Sequence, residues 1–249
     1  MKNKIKLVFL TFILNLCCVN FIIAEEFIFK VTDLEILENN TIYKGNNGGI
    51  VTTRNNEIVI TADTFIYNKL TTLLEAEGNV KLVDKIKDVI IESNKIFYLK
   101  NKEEIYTKGK SVALNGSDIQ IDADQYFKYN KLTSIMEAKG NVKLDDKNEN
   151  VIIYTNEIFY FINEEKIFTI GKTKIDFEDK YNMEGSDLTL LRNEMILSSK
   201  KDAIIIDSES NTYKLEQFQY SIDKEILKGE NIVAITSDKE NKSDEFFFK

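Results

Sequence analysis

In Leu74-Glu75-Ala76-Glu77-Gly78-Asn79-Val80-Lys81-Leu82 every even position is apolar or Gly and every odd position is polar. Met136-Glu137-Ala138-Lys139-Gly140-Asn141-Val142-Lys143-Leu144 repeats the alternation. Period two sends one set of side chains to one face of a β-strand and the other set to the opposite face. Ile58, Ile60 and Ala62 alternate likewise, as do Ile119, Ile121 and Ala123. Turn-forming residues punctuate the pattern at Asn39-Asn40, Gly45 to Gly49, Asn55-Asn56, Asn115-Gly116, Asp145 to Asn150 and Ser198 to Lys201. Their spacing of about ten residues predicts an all-β stack of roughly 18 to 20 short antiparallel strands. No later segment keeps a helical period for three turns, so little helix is expected.

A longer repeat organises these strands. Thr64–Lys110 laid on Tyr126–Lys172 at a fixed offset of 62 gives 28 identities in 47 positions without a gap. Tyr67-Asn68-Lys69-Leu70 matches Tyr129-Asn130-Lys131-Leu132, and Ile96-Phe97-Tyr98 matches Ile158-Phe159-Tyr160. A degenerate third copy follows, in which Gly185-Ser186-Asp187-Leu188 echoes Gly116-Ser117-Asp118-Ile119. The copies span about residues 42–110, 111–172 and 173–249 of one domain, 25–249. Repetition of this kind predicts stacked units sharing a continuous core.

One apolar face per strand must be hidden. Two facing sheets hide it either as a closed sandwich or as an open trough. The inward set is Ile58, Ile60, Ala62, Leu74, Ala76, Val80, Leu82, Ile119, Ile121, Ala123, Met136, Ala138, Val142 and Leu144. Small residues recur in it, and Gly78 and Gly140 join them. Small side chains beside large ones leave volume that a packed interior fills, which favours the trough. The first strand, about Phe27 to Leu37, alternates Phe27, Phe29 and Val31 against Ile28, Lys30 and Thr32. It has no Pro to block pairing and is expected to act as a partner edge strand.

The N-terminus adds an address. Lys2, Lys4 and Lys6 precede an apolar run from Leu7 to Ile23, then Ala24 and two Glu. This is the order of a secretory signal, residues 1–24, and it predicts export to the periplasm. The segment holds both cysteines, Cys17 and Cys18. Without it the chain has no thiol nucleophile and no disulfide. The chain has no His at all, which removes imidazole chemistry and any zinc site built from Cys or His. From 33 Lys+Arg and 41 Asp+Glu, losing three Lys and no acid leaves a net charge of −11. No basic stripe exists to neutralise phosphates, so no nucleic-acid partner is expected. The chain has no Pro and only two Arg, Arg54 and Arg192, amid abundant Lys, Asn and Ile. An AT-rich coding sequence gives this usage, and a long β ladder, which has no place for a residue lacking N–H, also excludes Pro.

Acids are plentiful, but Asp63 and Asp124, or Glu75 and Glu137, recur at the same repeat positions on the wet face. A duplicated acid reads as a fold element rather than a catalytic pair. Acidic turns such as Asp145-Asp146 lack ordered calcium-ligand spacing and read as solubilising. We therefore expect no catalytic residues, no metal and no cofactor. Two readings of function remain: a lipid-holding scaffold and an extracytoplasmic carbohydrate-binding or adhesive β-domain. Where the aromatics point separates them, with Tyr98, Tyr106 and Tyr160 able to serve either.

The string carried by Ala62-Asp63, Tyr67 and Glu75-Ala76-Glu77-Gly78-Asn79-Val80-Lys81-Leu82 recurs. Its copy is Ala123-Asp124, Tyr129 and Glu137-Ala138-Lys139-Gly140-Asn141-Val142-Lys143-Leu144. It resembles the OstA-like (LptA-type) family of periplasmic β-jellyroll domains of lipopolysaccharide transport. Within that family it is most similar to the N-terminal domains of the LptD assembly proteins. The resemblance covers about residues 27–175 well and the remainder loosely. It implies a twisted two-sheet trough whose apolar inside holds the acyl chains of lipid A. It also implies end-to-end partners of the same kind and an outer-membrane barrel. Glu245-Phe246-Phe247-Phe248-Lys249 reads like a strand cut short. One departure stands out: LptD proteins tie this domain to the barrel through disulfides, which a mature chain without Cys cannot form.

Overall fold

The computed structural model describes residues 27–177, 181–235 and 240–247. The expected signal segment, residues 1–24, lies outside them. Among the described residues there are 21 strands, three single 3₁₀ turns and no α-helix. Every strand pairing is antiparallel. Short strands come in end-to-end pairs, such as Ile58–Ala62 and Thr64–Asn68, which have no ladder with each other and share the long neighbours Ile42–Thr53 and Leu73–Asp84.

Several strands are long enough to be paired twice. Leu73–Asp84 pairs through residues 73–77 with Thr64–Asn68 and through residues 81–84 with Ile58–Ala62. Its register breaks between Glu77 and Val80. Ile135–Asp146 does the same against Tyr126–Asn130 and Ile119–Ala123, breaking between Lys139 and Val142. The breaks align into a fold line. Along it one continuous sheet doubles over, so that its two halves face each other across a single apolar core.

Glycine marks this line. Gly78, Gly109, Gly140 and Gly171, each 31 residues on from the last, have φ of +81, +87, +86 and +79°. A left-handed backbone is nearly free for Gly and costs other residues about 1–2 kcal/mol. Asn79 and Asn141 follow at φ of 47 and 44°, where Asn is the best-tolerated side chain. Two residues on one strand thus oppose one on the next, the geometry of a β-bulge, which bends the strand. The bend is locked from the neighbouring strand. Asp63 N–H donates to the Gly78 carbonyl at 3.0 Å and Asp124 N–H to that of Gly140 at 2.9 Å. Asn79 Nδ2 donates to Asp63 Oδ2 at 3.0 Å and Asn141 Nδ2 to Asp124 Oδ2 at 3.1 Å. The recurring Ala-Asp and Gly-Asn pairs of the sequence are the two sides of this lock.

The small inward residues sit beside the fold line. Ala62, Ala76, Ala123 and Ala138 are all buried there, where the two halves converge. They fill the narrow angle of a wedge and leave no groove. Hydroxyls share the angle: Thr107 Oγ1 bonds Ser111 Oγ at 3.2 Å, and Thr173 Oγ1 bonds Thr169 Oγ1 at 2.8 Å. The expectation of an open trough is corrected accordingly. All fourteen expected inward residues are buried in one cluster with Phe65, Tyr98, Phe127 and Tyr160. The antiparallel sheet forms a closed, flattened barrel with a filled interior. Burying a side chain such as Leu82 or Ile121 contributes about 1.5–3 kcal/mol, so each strand adds to one shared core.

At the far side from the fold line the strands turn back in tight tips. Lys100 N–H donates to Thr72 O at 3.0 Å, Lys131 to Glu103 at 2.9 Å and Ile162 to Ser134 at 3.0 Å. Each tip is thereby tied to the one before. The step along the chain is again 31 residues (69, 100, 131, 162), half the offset at which the sequence matches itself.

The four fold-line glycines are expected to differ on substitution. A Cβ on Gly78 would lie 2.2 Å from Asp63 Oδ2 and one on Gly140 2.4 Å from Gln125 Cγ, whereas Gly109 and Gly171 face open space. Gly109→Ala and Gly171→Ala should each cost about 1–2 kcal/mol in urea melts. Gly78→Ala and Gly140→Ala should cost measurably more. Equal losses at all four would show that the Asp63 and Gln125 contacts do not hold the bend.

Candidate functional site

The interior and its closure are the candidate site. On one long side the wall is continuous backbone crossing the fold line. On the other, the tips of the two halves meet, and side chains alone join them. Tyr129 Oη donates to Asp84 Oδ2 at 3.2 Å across this seam. Tyr160 Oη donates to Asn115 Oδ1 at 3.4 Å. Arg192 reaches Asp146 with Nε at 2.6 Å and Nη2 at 3.2 Å, and its Nη1 bonds Glu165. The partners are 45, 45 and 46 residues apart, a regular diagonal. Outer contacts follow the same line: Lys131 Nζ to Glu57 Oε2 at 2.9 Å and Lys87 Nζ to Asn163 Oδ1 at 3.5 Å. Phe27 closes the seam at one end, its ring 5.5 Å from Tyr98 and 5.0 Å from Tyr67. Tyr220 and Tyr181 close it at the other, their hydroxyls 2.5 Å apart.

Tyr67, Tyr98, Tyr129 and Tyr160 are 31 residues apart, so the wide side of the wedge is filled by tyrosine as the narrow side is filled by alanine. Asp84 and Asp146 have no exposed surface. Asp84 is satisfied by Tyr129 and by the backbone N–H groups of Ile86 at 3.0 Å and Lys87 at 3.2 Å. Asp146 is satisfied by the bidentate Arg192, which supplies a counter-charge as well as two donors. The reading of Asp145-Asp146 as a solubilising acidic turn is therefore corrected at Asp146. The tyrosines resist ionisation. Burial, reinforced by the Asp84 carboxylate, holds Tyr129 far above its usual value. Burial pushes Tyr160 and Tyr181 up to about 12 each. The Lys131 hydrogen bond holds Glu57 below the ordinary carboxylate value.

Tyr98 and Tyr160 point inward and are fully buried, so neither is a surface platform. Tyr106 lies on the outside, stacked on Phe97 at 4.8 Å. Phe29 and Val31, expected on the partner edge, pack partly buried against the core from β1 (Phe27–Leu37), and Phe27 lies within it. Among the described residues β1 pairs only with Ile42–Thr53, which leaves its other edge without a strand. Leu34 and Ile36 stand opposite Gly45 and Tyr43, whose own ladder partners are the core residues Phe65 and Tyr67. They belong to the inward face but are 46% and 50% exposed, because the core ends there. The sequence reading missed these two, because the inward set passes from odd positions at Phe27, Phe29 and Val31 to even ones at Leu34 and Ile36 across the register break between Val31 and Asp33. Two surface clefts, of about 600 and 880 Å³, are lined by residues between 141 and 204 and between 168 and 230. Of the expected inward residues only Val142 borders one of them. No group of three or more potential metal ligands occurs among the described residues.

No protein-family model and no curated protein matches the chain. Among solved structures, the TCP10 domain of Danio rerio CPAP in complex with a peptide of STIL is similar at 7% identity and a TM-score of 0.22. That alignment covers 90% of this chain and all of that domain, at a score too low to carry an argument.

Two outcomes are expected. Arg192→Leu leaves Asp146 charged and buried without its partner, and should cost about 3–5 kcal/mol in urea melts, most of it restored by adding Asp146→Asn. A single change that costs nothing would mean that Asp146 reaches water. The tyrosines give a pH dependence. Their folded values lie above the usual 10, so their contribution is complete below pH 10 and is lost as pH rises towards about 12. Absorbance titration should show Tyr160 and Tyr181 ionising only as the chain unfolds in alkali. Smooth ionisation of every tyrosine near pH 10 in the folded chain would contradict the closed seam.

Proposed function

We propose that this chain is a periplasmic scaffold of lipopolysaccharide transport, an OstA-like domain that holds acyl chains along its apolar inner face. The observation that carries the reading is the inner face itself. It runs unbroken from Phe27 to Ala234 through all the repeats and ends at β1 in exposed Leu34 and Ile36. A lipid with several acyl chains exposes apolar area worth about 25 cal/mol per Å² and does not diffuse freely through water. A long apolar interior on an acidic exterior suits such a cargo: the chains lie inside, and sugars and phosphates stay outside. The Ala-Asp and Gly-Asn signature supports the family assignment, because it forms the structural lock of the fold line. The leader-like segment 1–24 supports export. The jellyroll architecture, repeat boundaries and an outer-membrane barrel as partner belong to the same reading. Against a carbohydrate-binding role stands the burial of Tyr98 and Tyr160.

Photo-crosslinkers at Ala76, Val80, Ala138 or Val142 should capture lipopolysaccharide in cells. The same groups at Glu77, Lys81, Lys139 or Lys143 should not. Equal capture from both sets would refute an apolar inner conduit.

The β1 end should dock onto the terminal strand of a partner transport domain, continuing both halves of the sheet. Alternation fixes the register, since a slip by one residue would turn the inner face outward. Leu34→Asp and Ile36→Lys lie on exposed positions and should abolish pull-down of such a partner while leaving the melting curve unchanged. Undiminished binding by both variants would exclude this end as the joint.

A further inference from the structure

The filled interior raises a problem that the seam resolves. The two clefts touch the core only at its edge, at Val142, Ala203 and Phe218, and the barrel wall between strands is a ladder of backbone hydrogen bonds. Acyl chains therefore reach the inner face either from the β1 end or where the wall parts. The fold line cannot part, because the chain crosses it covalently, within each long strand or at the joint between two short ones. The seam can, because it is held by single side-chain contacts such as Tyr129–Asp84, Tyr160–Asn115 and Lys131–Glu57. Parting it breaks no rung of the strand ladder, since both halves keep their own neighbours.

The rim of the seam is also unusual. Leu70, Ile86 and Leu132 project from the tips with 79%, 65% and 72% exposure, higher than any other large apolar side chain in the described residues. Leu132 adjoins Lys131, which bridges to Glu57 on the opposite tip, and Ile86 adjoins Lys87, which reaches Asn163. Leu70 sits on the tip that Lys100 N–H ties to the next. These three residues place aliphatic surface on the lips of the seam. Tip turns are where solvated polar residues are ordinarily found. Lys69, Lys85, Lys87, Lys100, Lys102 and Lys131 stand on the same tips against Glu57, Asp88 and Glu103, an excess of Lys although Lys100 and Lys131 are paired with Glu103 and Glu57.

The geometry points to the seam as a lateral gate, at which a long-chain amphiphile with an anionic head is loaded sideways into the interior. Its alkyl chain first meets Leu70, Ile86 and Leu132 and then displaces the Tyr129–Asp84 and Lys131–Glu57 contacts. This rests on the lipid-holding reading above but adds the route. The competing route is threading from the β1 end.

A reversible staple distinguishes the two routes. Outside residues 1–24 the chain has no Cys, so Glu57→Cys/Lys131→Cys, joined by a short reductant-cleavable bis-maleimide, links the lips specifically. A control pair, Thr71→Cys/Asn101→Cys, links two tips on the same side of the seam. The probe is cis-parinaric acid, which fluoresces on entering an apolar site, with a dansyl-labelled phosphatidylglycerol as a second probe. Uptake by the seam-stapled chain should fall at least tenfold, recover on reduction, and be unchanged by the control staple. Tyr129→Phe, unstapled, should take up the probe several-fold faster than the parent. Uptake unaffected by the seam staple would overturn the gate and leave threading as the route. Absence of uptake by the unstapled parent would overturn the lipid-holding reading and the gate with it.

Discussion

Every long strand of this chain must bend across one line, and that requirement governs the rest of the structure. A β-strand does not turn back on its own sheet without a residue in a left-handed conformation or a bulge. Glycine at positions 78, 109, 140 and 171 supplies the first, and the Gly-Asn pairs at 78 and 140 supply both. Once the bend is fixed, the space between the two halves is a wedge. Its narrow side is filled by small side chains, Ala62, Ala76, Ala123 and Ala138 with the hydroxyls of Thr107, Ser111, Thr169 and Thr173, and its wide side demands residues as long as tyrosine. The alternation along each strand is thus graded by size as well as by polarity.

The two long sides of the barrel are closed by different physics. At the fold line, closure is covalent and adds to the strand ladder. At the seam, closure rests on polar contacts between side chains that are themselves buried, and an unsatisfied group there is costly. Asp84 and Asp146 stand 62 residues apart at equivalent positions, yet one meets a neutral phenol and the other a guanidinium. Asp84 has two backbone donors near 3 Å, so a single phenol completes its shell. Asp146 has only the longer Glu149 N–H at 3.4 Å and takes a bidentate partner instead. Lys cannot present that planar fork. In a chain rich in Lys, one of its two Arg stands at this point.

The period-two pattern made the inner face legible, because alternation is local and each strand declares its own two faces. All fourteen residues read as inward are inward. The closure was not legible, because it depends on contacts 45 residues apart, set by how far the halves shear past one another. That shear left no local trace at Asp145-Asp146, which looks like any acidic turn until Arg192 is placed on it. The small residues were seen but misjudged: beside Leu and Val they suggest spare volume, whereas at a bend they are what the volume permits. A finer signal was present and unread. Gly and Tyr each recur at steps of 31, but successive 31-residue steps share little else, so self-alignment finds the 62-residue offset and hides the structural step within it.

A filled interior is compatible with the lipid-holding role proposed for this barrel. Each seam contact contributes about 0.5–1.5 kcal/mol net, which is small beside the apolar area that the core would expose to water if the lips parted. Without a ligand that area keeps the barrel shut. An alkyl chain laid along the parted seam covers the same area, so the hydrophobic term that opposes opening is cancelled by the cargo itself. What remains is the sum of a few polar contacts, within reach of the differential affinity that shifts a two-state equilibrium. The ladder at the fold line is untouched in either state. In the proposed gate it would serve as the hinge, with the tyrosines of the wide side as the surface that yields.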